Sequence, residues 1–151
     1  MNTKRRSPGV ADDSRLFSLV EYAFGHTHVV LRGYPPVEEY EDLPSGTPVR
    51  VLDISFVNVK RISCWTDLDA VDLRVADDTA LERLRPQLGG RNLYGSVFLL
   101  APGTVEEYIV AGRAYWAEYD LVFGDPSPLT SYDARYREQH PPVDGIVHFA
   151  E

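Results

Sequence analysis

Residues 49–62 read VRVLDISFVNVKRI, and this run has the length and composition of a buried β-strand. Successive side chains of a strand point to opposite faces, so Leu52, Ile54 and Phe56 line one face of the run. Valines occupy the other face, which is interrupted by Asp53. Apolar residues on both faces predict a central strand, or two strands joined by a bend, with protein covering both sides.

Asp53 is the only acid in this run, and a buried carboxylate is costly unless it is paired. It has two interpretations. Its surroundings can tune it to act as a general acid or base, or it can form an ion pair with an arginine such as Arg32 or Arg50. We favour the ion pair, because aspartate is almost never fully buried without a partner.

Further strands are predicted on either side of this run. Residues 16–24 fit either a helix or the first strand of a hairpin with residues 28–32, and the β-prone second segment favours the hairpin. Residues 33–48 contain acids and closely spaced glycine and proline, so they are predicted as a loop outside the sheet. The other predicted strands are residues 68–76, 93–100, 105–110, 113–123 and, as an edge strand or docked tail, 146–149.

One short helix is predicted at about residues 78–87. Asp78 or Thr79 can cap its first turn, and arginines near its end complement the helix dipole. Pro86 and the glycines that follow it are predicted to end the helix.

Together these elements predict a mainly β protein of the α+β class: an antiparallel β-sandwich or strongly curved sheet of six to eight strands with one short helix. Residues 1–14 show no apolar periodicity and are predicted to be a disordered tail. Residues 15–128 are predicted to form a single β-rich domain, since 151 residues is the usual length of one domain. Residues 129–151 are predicted to be a C-terminal tail that is partly docked.

The composition argues against several classes of function. The chain has 23 acidic and 15 basic residues, a net charge of −8, whereas nucleic-acid phosphates bind to cationic surfaces. No run approaches ~18 uninterrupted apolar residues, so no membrane span is predicted. The basic cluster near the first residue is not followed by an apolar segment, and the single cysteine, Cys64, cannot form an internal disulfide. Both observations predict a cytoplasmic protein.

Acidic side chains cluster around a tyrosine in the predicted loop. Four acids surround Tyr40 within residues 38–42, and a second group follows near a predicted strand edge. Tyrosine offers rigid contact area, and acidic groups attract a basic partner over long distances. The ordinary alternative is a solvated loop that keeps the protein soluble. The residues predicted to bind a partner are Glu38, Glu39, Tyr40, Glu41, Asp42, Asp67 and Asp69.

Signals for catalysis or metal binding are weak. On a strand, His26 and His28 would face the same side and could hold a metal with a third ligand such as His140, but two solvated histidines beside a turn fit the same pattern. Cys64 precedes Trp65 and is predicted to be packed rather than nucleophilic. The sequence has no phosphate-binding loop, dinucleotide motif or serine nucleophile elbow. We therefore expect no cofactor, no metal and no catalytic residue.

Two segments resemble stretches found in small, uncharacterised bacterial β-rich proteins. They are VLDISFV at residues 51–57 and the segment from YWAE at residues 115–118 to DPSPL at residues 125–129. The resemblance implies a β-rich fold and names no activity.

Three hypotheses for function follow. We favour a non-catalytic protein that binds a basic protein, most concretely an immunity-type inhibitor of a basic toxin such as a nuclease. The reason is that a nucleic-acid enzyme has a cationic cleft, which an anionic, aromatic surface complements. The first alternative is a small-molecule or metal-binding enzyme with a pocket in the β scaffold, using His26, His28, Asp53 and Tyr115. The second is a structural subunit of a bacterial assembly.

Overall fold

The computed structural model describes residues 3–7, 9–13, 15–23, 27–89, 95–101 and 104–151. Within these ranges twelve strands form two sheets, accompanied by two α-helices and one 3-10 turn, so the predicted mainly β fold is confirmed. The structure has more strands than the six to eight predicted, because strands of two to five residues are too short to show a clear period, and it has a second helix that was not predicted. In chain order the strands are β1 (Thr3–Arg6), β2 (Gly9–Asp13), β3 (Leu16–Ala23), β4 (His28–Tyr34), β5 (Val49–Val57), β6 (Arg61–Ser63), β7 (Asp67–Leu68), β8 (Val71–Val75), β9 (Ser96–Leu99), β10 (Tyr108–Ala111), β11 (Arg113–Leu121) and β12 (Ile146–Ala150). The helices are α1 (Asp78–Leu88) and α2 (Ala134–Gln139), and the 3-10 turn is Val37–Glu39.

The larger sheet has seven strands in the order β1-β12-β11-β5-β4-β3-β7, and the smaller has five in the order β2-β8-β9-β10-β6. Among the described strands, β1 and β12 pair in parallel, while the other pairings are antiparallel. The two sheets share one hydrophobic core, to which Ile54 and Phe56 contribute from the larger sheet and Phe98 and Ile109 from the smaller.

β5 is the central strand that its two-sided apolar pattern predicts. It lies between β4 and β11, and residues 51–56 are buried. The predicted bend is also present, because Asn58 has a positive φ of 54° and the chain then passes into β6 of the smaller sheet.

The outer face of the larger sheet carries a second apolar cluster that includes Val51, Tyr119 and Val147. Leu129 packs against this cluster, and Pro128 nearby is buried. Residues 122–145, including α2, therefore cover this face, and we call them the C-terminal segment.

α1 packs on the outer face of the smaller sheet. Its start is fixed by Asp77, whose side chain accepts a hydrogen bond from the Ala80 backbone N–H at 2.8 Å, and its end by Gly89 with a φ of 65°. The helix predicted at about residues 78–87 is confirmed. Its cap is one residue earlier than predicted, and Pro86 lies inside the last turns rather than ending them.

The structure resolves the ambiguity over residues 16–24 in favour of the hairpin, since β3 pairs antiparallel with β4. Gly33, predicted to open the loop, lies inside β4 opposite Phe17. The ring of Phe17 packs over the glycine, which leaves no room for a side chain at this position. The prediction that Gly33 belongs to the loop is therefore wrong, because the glycine serves this close packing within the strand.

Both ends of the chain contribute strands to the sheets. The structure places β1 and β2 within the first fourteen residues, where the sequence predicts a disordered tail. β1 pairs with β12 through backbone hydrogen bonds, and its side chains are exposed. Because the strand buries no side chain, its sequence shows no apolar periodicity. β12, predicted as an edge strand or docked tail, lies between β1 and β11. In the described part of the chain, neither helix has the length and apolar character needed to cross a membrane.

Candidate partner-binding surface

Residues 35–48 connect β4 to β5 at one end of the larger sheet, and we call them the acidic loop. The loop holds itself together with local hydrogen bonds. The Glu41 backbone N–H donates to the Val37 carbonyl at 2.8 Å, and the Thr47 hydroxyl donates to the Pro44 carbonyl at 2.6 Å. Prolines with fixed φ at positions 35, 36, 44 and 48 further restrict it. The acids of the loop are therefore presented on an ordered turn.

The four predicted carboxylates of the acidic loop, at residues 38, 39, 41 and 42, are exposed, while Tyr40 is half-buried. None of the four forms an ion pair with another described residue. Their charge is thus directed at solvent and is available to a partner.

Asp67 and Asp69 lie at the same end of the sheet as the acidic loop. Leu16 of β3 pairs with Tyr34, the last residue of β4, and Phe17 pairs with Leu68 of β7. Because β7 is two strands from β4, Asp69 is roughly 10 Å from the start of the loop by the usual strand spacing. The Asp67 carboxylate accepts a hydrogen bond from the Ser18 hydroxyl at 2.8 Å. The structure therefore brings the two predicted acidic groups to one end of the molecule.

The arginines at this end already have acidic partners. The Arg50 guanidinium lies 3.2 Å from the Asp120 carboxylate, and Arg15 lies 3.3 Å from Glu118. Hydrogen bonding to Asp120 and the charge of that carboxylate raise the pKa of Arg50. These pairs neutralise the local positive charge, so the surface around the acidic loop keeps a negative potential.

Exposed apolar side chains lie within the acidic loop and beside it, and no sequence pattern marks them. Phe123 is 73% exposed, Val37 49% and Leu43 44%. The Phe123 ring lies 5.7 Å from that of Tyr34 at the end of β4, which places it beside the loop. Exposed apolar groups surrounded by charge are typical of protein-binding surfaces.

The ion pair predicted for Asp53 is confirmed, with Arg32 as the partner. Arg32 Nε and Nη2 donate to the two Asp53 carboxylate oxygens at 2.7 and 2.9 Å, and Nη1 donates to the Asp125 carbonyl at 2.7 Å. The two side chains are 2% and 0% exposed. Both carboxylate oxygens are occupied, so the geometry favours a structural role over acid or base catalysis.

Glu21 of β3 fastens the C-terminal segment to the sheet. One carboxylate oxygen accepts from the Ser127 backbone N–H at 2.7 Å, and the other accepts from the Thr130 hydroxyl at 2.6 Å. The second oxygen also lies 3.7 Å from His28 Nε2. Glu21 thereby links a half-buried histidine to the cover of the sheet.

The alternative hypothesis is a metal site that includes His26 and His28. His26 lies outside the described residues, so the structure places His28 alone of this pair. His28 contacts Glu21 as above. Among the residues with described positions, no group of three or more histidine, cysteine or acidic side chains is arranged to hold a metal.

Cys64 packs against the main core. Burial raises the pKa of its thiol to about 11, and the charge of Glu107 adds to the rise. A thiol that stays protonated at neutral pH is a poor nucleophile, which agrees with the packed role predicted for it.

A serine, a histidine and an aspartate meet near the end of β12, an arrangement that the sequence spacing conceals. The Ser7 hydroxyl lies 2.9 Å from His148 Nδ1, and His148 Nε2 lies 3.8 Å from the Asp144 carboxylate. The distance between His148 and Asp144 is longer than a hydrogen bond allows, and the Asp144 side chain is 56% exposed. The carboxylate therefore does not orient the imidazole as a catalytic triad requires.

No protein-family model, curated protein or solved structure matches this chain.

Proposed function

We propose that this protein is a non-catalytic acidic binding protein whose acidic loop engages a basic protein. In its most specific form the proposal is an immunity-type inhibitor that holds a basic toxin, such as a nuclease, in the cytoplasm of the producing cell. The observation that supports it is the presentation of four exposed carboxylates, none of them ion-paired to another described residue, on an ordered loop beside an exposed phenylalanine.

In such an interface, charged side chains mainly set the association rate, and apolar contacts mainly set the affinity. Unscreened carboxylates accelerate encounter with a cationic partner by roughly 10- to 1,000-fold and make the rate dependent on salt. Affinity then depends on a few buried apolar or aromatic anchors. At this end of the molecule Phe123, Val37, Leu43 and Tyr40 are the candidates for those anchors.

An ordered loop is an advantage for an inhibitor. Fixing a flexible segment on binding costs conformational entropy, and preorganisation reduces that cost. The hydrogen bonds between Val37 and Glu41 and between Pro44 and Thr47 already hold the acidic loop in one conformation.

The cytoplasmic location belongs to the same proposal. It is supported by the single cysteine, which needs no oxidising compartment. The net charge of −8 likewise supports a basic protein, rather than nucleic acid or an anionic membrane surface, as the partner.

The test compares three forms of the chain as bait in a native lysate of the source cell at low and high salt. They are the wild type, a loop variant (Glu38→Gln, Glu39→Gln, Glu41→Gln, Asp42→Asn) and a charge-matched control that removes four exposed acids elsewhere (Asp78→Asn, Glu82→Gln, Glu106→Gln, Glu138→Gln). We expect the wild type and the control to retain the same basic protein at low salt, and the loop variant to lose it.

Measurement on the purified pair completes the test. The association rate should fall by about tenfold or more in the loop variant at low salt, and the difference should shrink as salt screens it. If the partner has nuclease activity, the wild type should inhibit it. Equal capture by the loop variant and the wild type, or the absence of a basic protein at low salt, would refute the proposal.

A further inference from the structure

A second surface, outside the acidic end, has the opposite charge. A cavity of about 390 Å³ lies on the outer face of the larger sheet, between β1, β11, β12 and the C-terminal segment. We call it the basic pocket. Lys4, Tyr115, Tyr119, Leu129, Arg137 and His140 line it.

The lining of the basic pocket is divided between apolar and cationic groups. Tyr119, 2% exposed, and Leu129 belong to the apolar cluster on this face of the sheet. Lys4 and Arg137 are exposed, and His140 is half-buried. Among the residues that the structure describes, no carboxylate lines the pocket, although the chain as a whole carries a charge of −8.

Lys4 and Arg137 both have N–H groups that make no hydrogen bond to another described residue. Lys4 Nζ lies 5.5 Å from the centre of the Tyr115 ring, a cation–π contact that leaves its N–H groups available. Arg137 donates through Nη1 to the Ser131 carbonyl at 2.5 Å, which uses one of its five N–H groups. Within the described ranges neither side chain forms an ion pair with a carboxylate.

Tyrosine hydroxyls add neutral donors to the pocket. The Tyr115 hydroxyl accepts from Arg113 Nη1 at 3.2 Å, so its own proton remains available to a ligand. Burial, and next the charge of Asp53, raise the pKa of Tyr119, which keeps its hydroxyl protonated. His140 Nδ1 lies 3.0 Å from the Tyr136 carbonyl; a carbonyl can only accept, so the Nδ1 proton is engaged there and is not offered to a ligand.

We propose that the basic pocket binds a small organic anion, with its carboxylate or phosphate group at Lys4 and Arg137 and its apolar body against Tyr119 and Leu129. Arginine binds both oxyanions through paired N–H groups, and a cavity of this size is within the range of small-molecule sites. The site is independent of the acidic loop.

The first test titrates the full-length protein with four small probes and follows backbone amide signals by NMR. Phenyl phosphate and benzoate should shift the signals of Tyr115, Leu129 and Val147 in a saturable way. Benzyl alcohol and benzylamine, which have the ring but no negative charge, should leave these signals in place. Inorganic phosphate, which lacks the apolar body, should bind at least about tenfold more weakly than phenyl phosphate, since burying a ring contributes more than ~1.4 kcal/mol.

The second test uses variants with a matched control. Lys4→Met and Arg137→Gln should each weaken phenyl phosphate binding by about tenfold, the usual effect of losing one charge-assisted hydrogen bond. Arg135→Gln removes the same charge from an exposed position on α2 that does not line the pocket, and should bind like the wild type. All three are surface changes, and equal melting temperatures would show that they leave the fold intact.

Equal affinity of the Arg137→Gln and Arg135→Gln variants, shifts confined to residues outside the pocket, or equal binding of benzylamine and phenyl phosphate would overturn this proposal. The loop variant described above should bind phenyl phosphate like the wild type. If the acidic loop captures no basic protein, the proposal for the basic pocket therefore still stands. If the pocket binds no anion, the proposal for the acidic loop still stands.

Discussion

Asp53 on β5 and Arg32 on β4 are directly opposed in the register of the larger sheet, and their side chains meet beneath the C-terminal segment. The same guanidinium reaches the Asp125 carbonyl at 2.7 Å, so one arginine joins two central strands to the cover of the sheet. A buried pair of this kind contributes less to stability than its short distances indicate, because both charges lose their hydration. Removing only one of its two members, however, should have a large effect on the free energy of unfolding.

Removing one member of this pair should destabilise the protein strongly. Arg32→Met leaves the Asp53 carboxylate buried without a partner, and Asp53→Leu does the same to the guanidinium. Each should lower the free energy of unfolding by about 3–5 kcal/mol, measured by urea denaturation. The double variant should be more stable than either single variant, because no buried charge remains unpaired.

The exposed pair of Arg50 and Asp120 is the matched control for this experiment. Arg50→Met should change the free energy of unfolding far less than Arg32→Met does, since solvent-exposed ion pairs contribute little. Equal effects of Arg32→Met and Arg50→Met would contradict the structural role assigned to the buried pair.

Glu21→Gln should loosen the C-terminal segment without unfolding the sheet. Glutamine replaces one carboxylate oxygen with an NH2 group, which cannot accept, so one of the hydrogen bonds from the Ser127 N–H and the Thr130 hydroxyl is lost. We expect a loss of about 1–2 kcal/mol, the lower part of the range for hydrogen bonds to a charged group because Glu21 is partly exposed. Hydrogen exchange should accelerate at Ser127 while Ile54 in β5 stays protected. Uniform acceleration at both amides would show that the segment is not a separate unit.

Gly33→Ala should destabilise the protein through a collision with one side chain. A Cβ at this position would come within 2.7 Å of the Phe17 ring, closer than any normal contact. The expected cost is about 1–3 kcal/mol, typical of overpacking a core. Phe17→Leu should cost less in the Gly33→Ala background than in the wild type, because the smaller side chain makes room. Additive effects of the two substitutions in urea denaturation would exclude this contact as the cause.

Ser55→Ala should have the opposite sign. Ser55 is buried in β5, and its hydroxyl has no hydrogen-bond partner among the described residues. Replacing an unsatisfied buried hydroxyl with a methyl group should raise the free energy of unfolding by about 1 kcal/mol. Ser18→Ala is the comparison, because the Ser18 hydroxyl donates to Asp67 and its removal should not stabilise. A destabilised Ser55→Ala variant would mean that the hydroxyl has a partner.

The features that were predictable from sequence are those encoded by neighbouring residues. Apolar residues on both faces of residues 49–62 identified the central strand, and Asp53 within that apolar run required a partner such as Arg32. Acids and glycines marked the ends of α1. In each case the physical cause lies within one element or one cross-strand pair.

The features that the sequence concealed depend on contacts between distant residues. β1 has exposed and mostly charged side chains, so its backbone pairing with β12 leaves no apolar pattern in the sequence. α2 is too short for a helical period. The basic pocket joins Lys4 to Arg137, which are separated by almost the whole chain. The role of Phe123 beside the acidic loop depends likewise on the register of β11 against β5.

Cys64 should resist alkylation at pH 8 and react only as the pH approaches about 11, because burial and, to a smaller extent, Glu107 raise the pKa of its thiol. The unfolded thiol ionises near 9.0, so between these pH values the unfolded chain releases a proton that the folded chain retains. Stability should therefore fall as the pH rises through this window, and Cys64→Ala should lack this part of the fall. Glu107→Gln keeps an acceptor for the Trp65 N–H but removes the charge, so iodoacetamide should react with Cys64 at a lower pH in this variant than in the wild type. Alkylation of the native protein at pH 8 as fast as in urea would show that the thiol is neither buried nor held neutral.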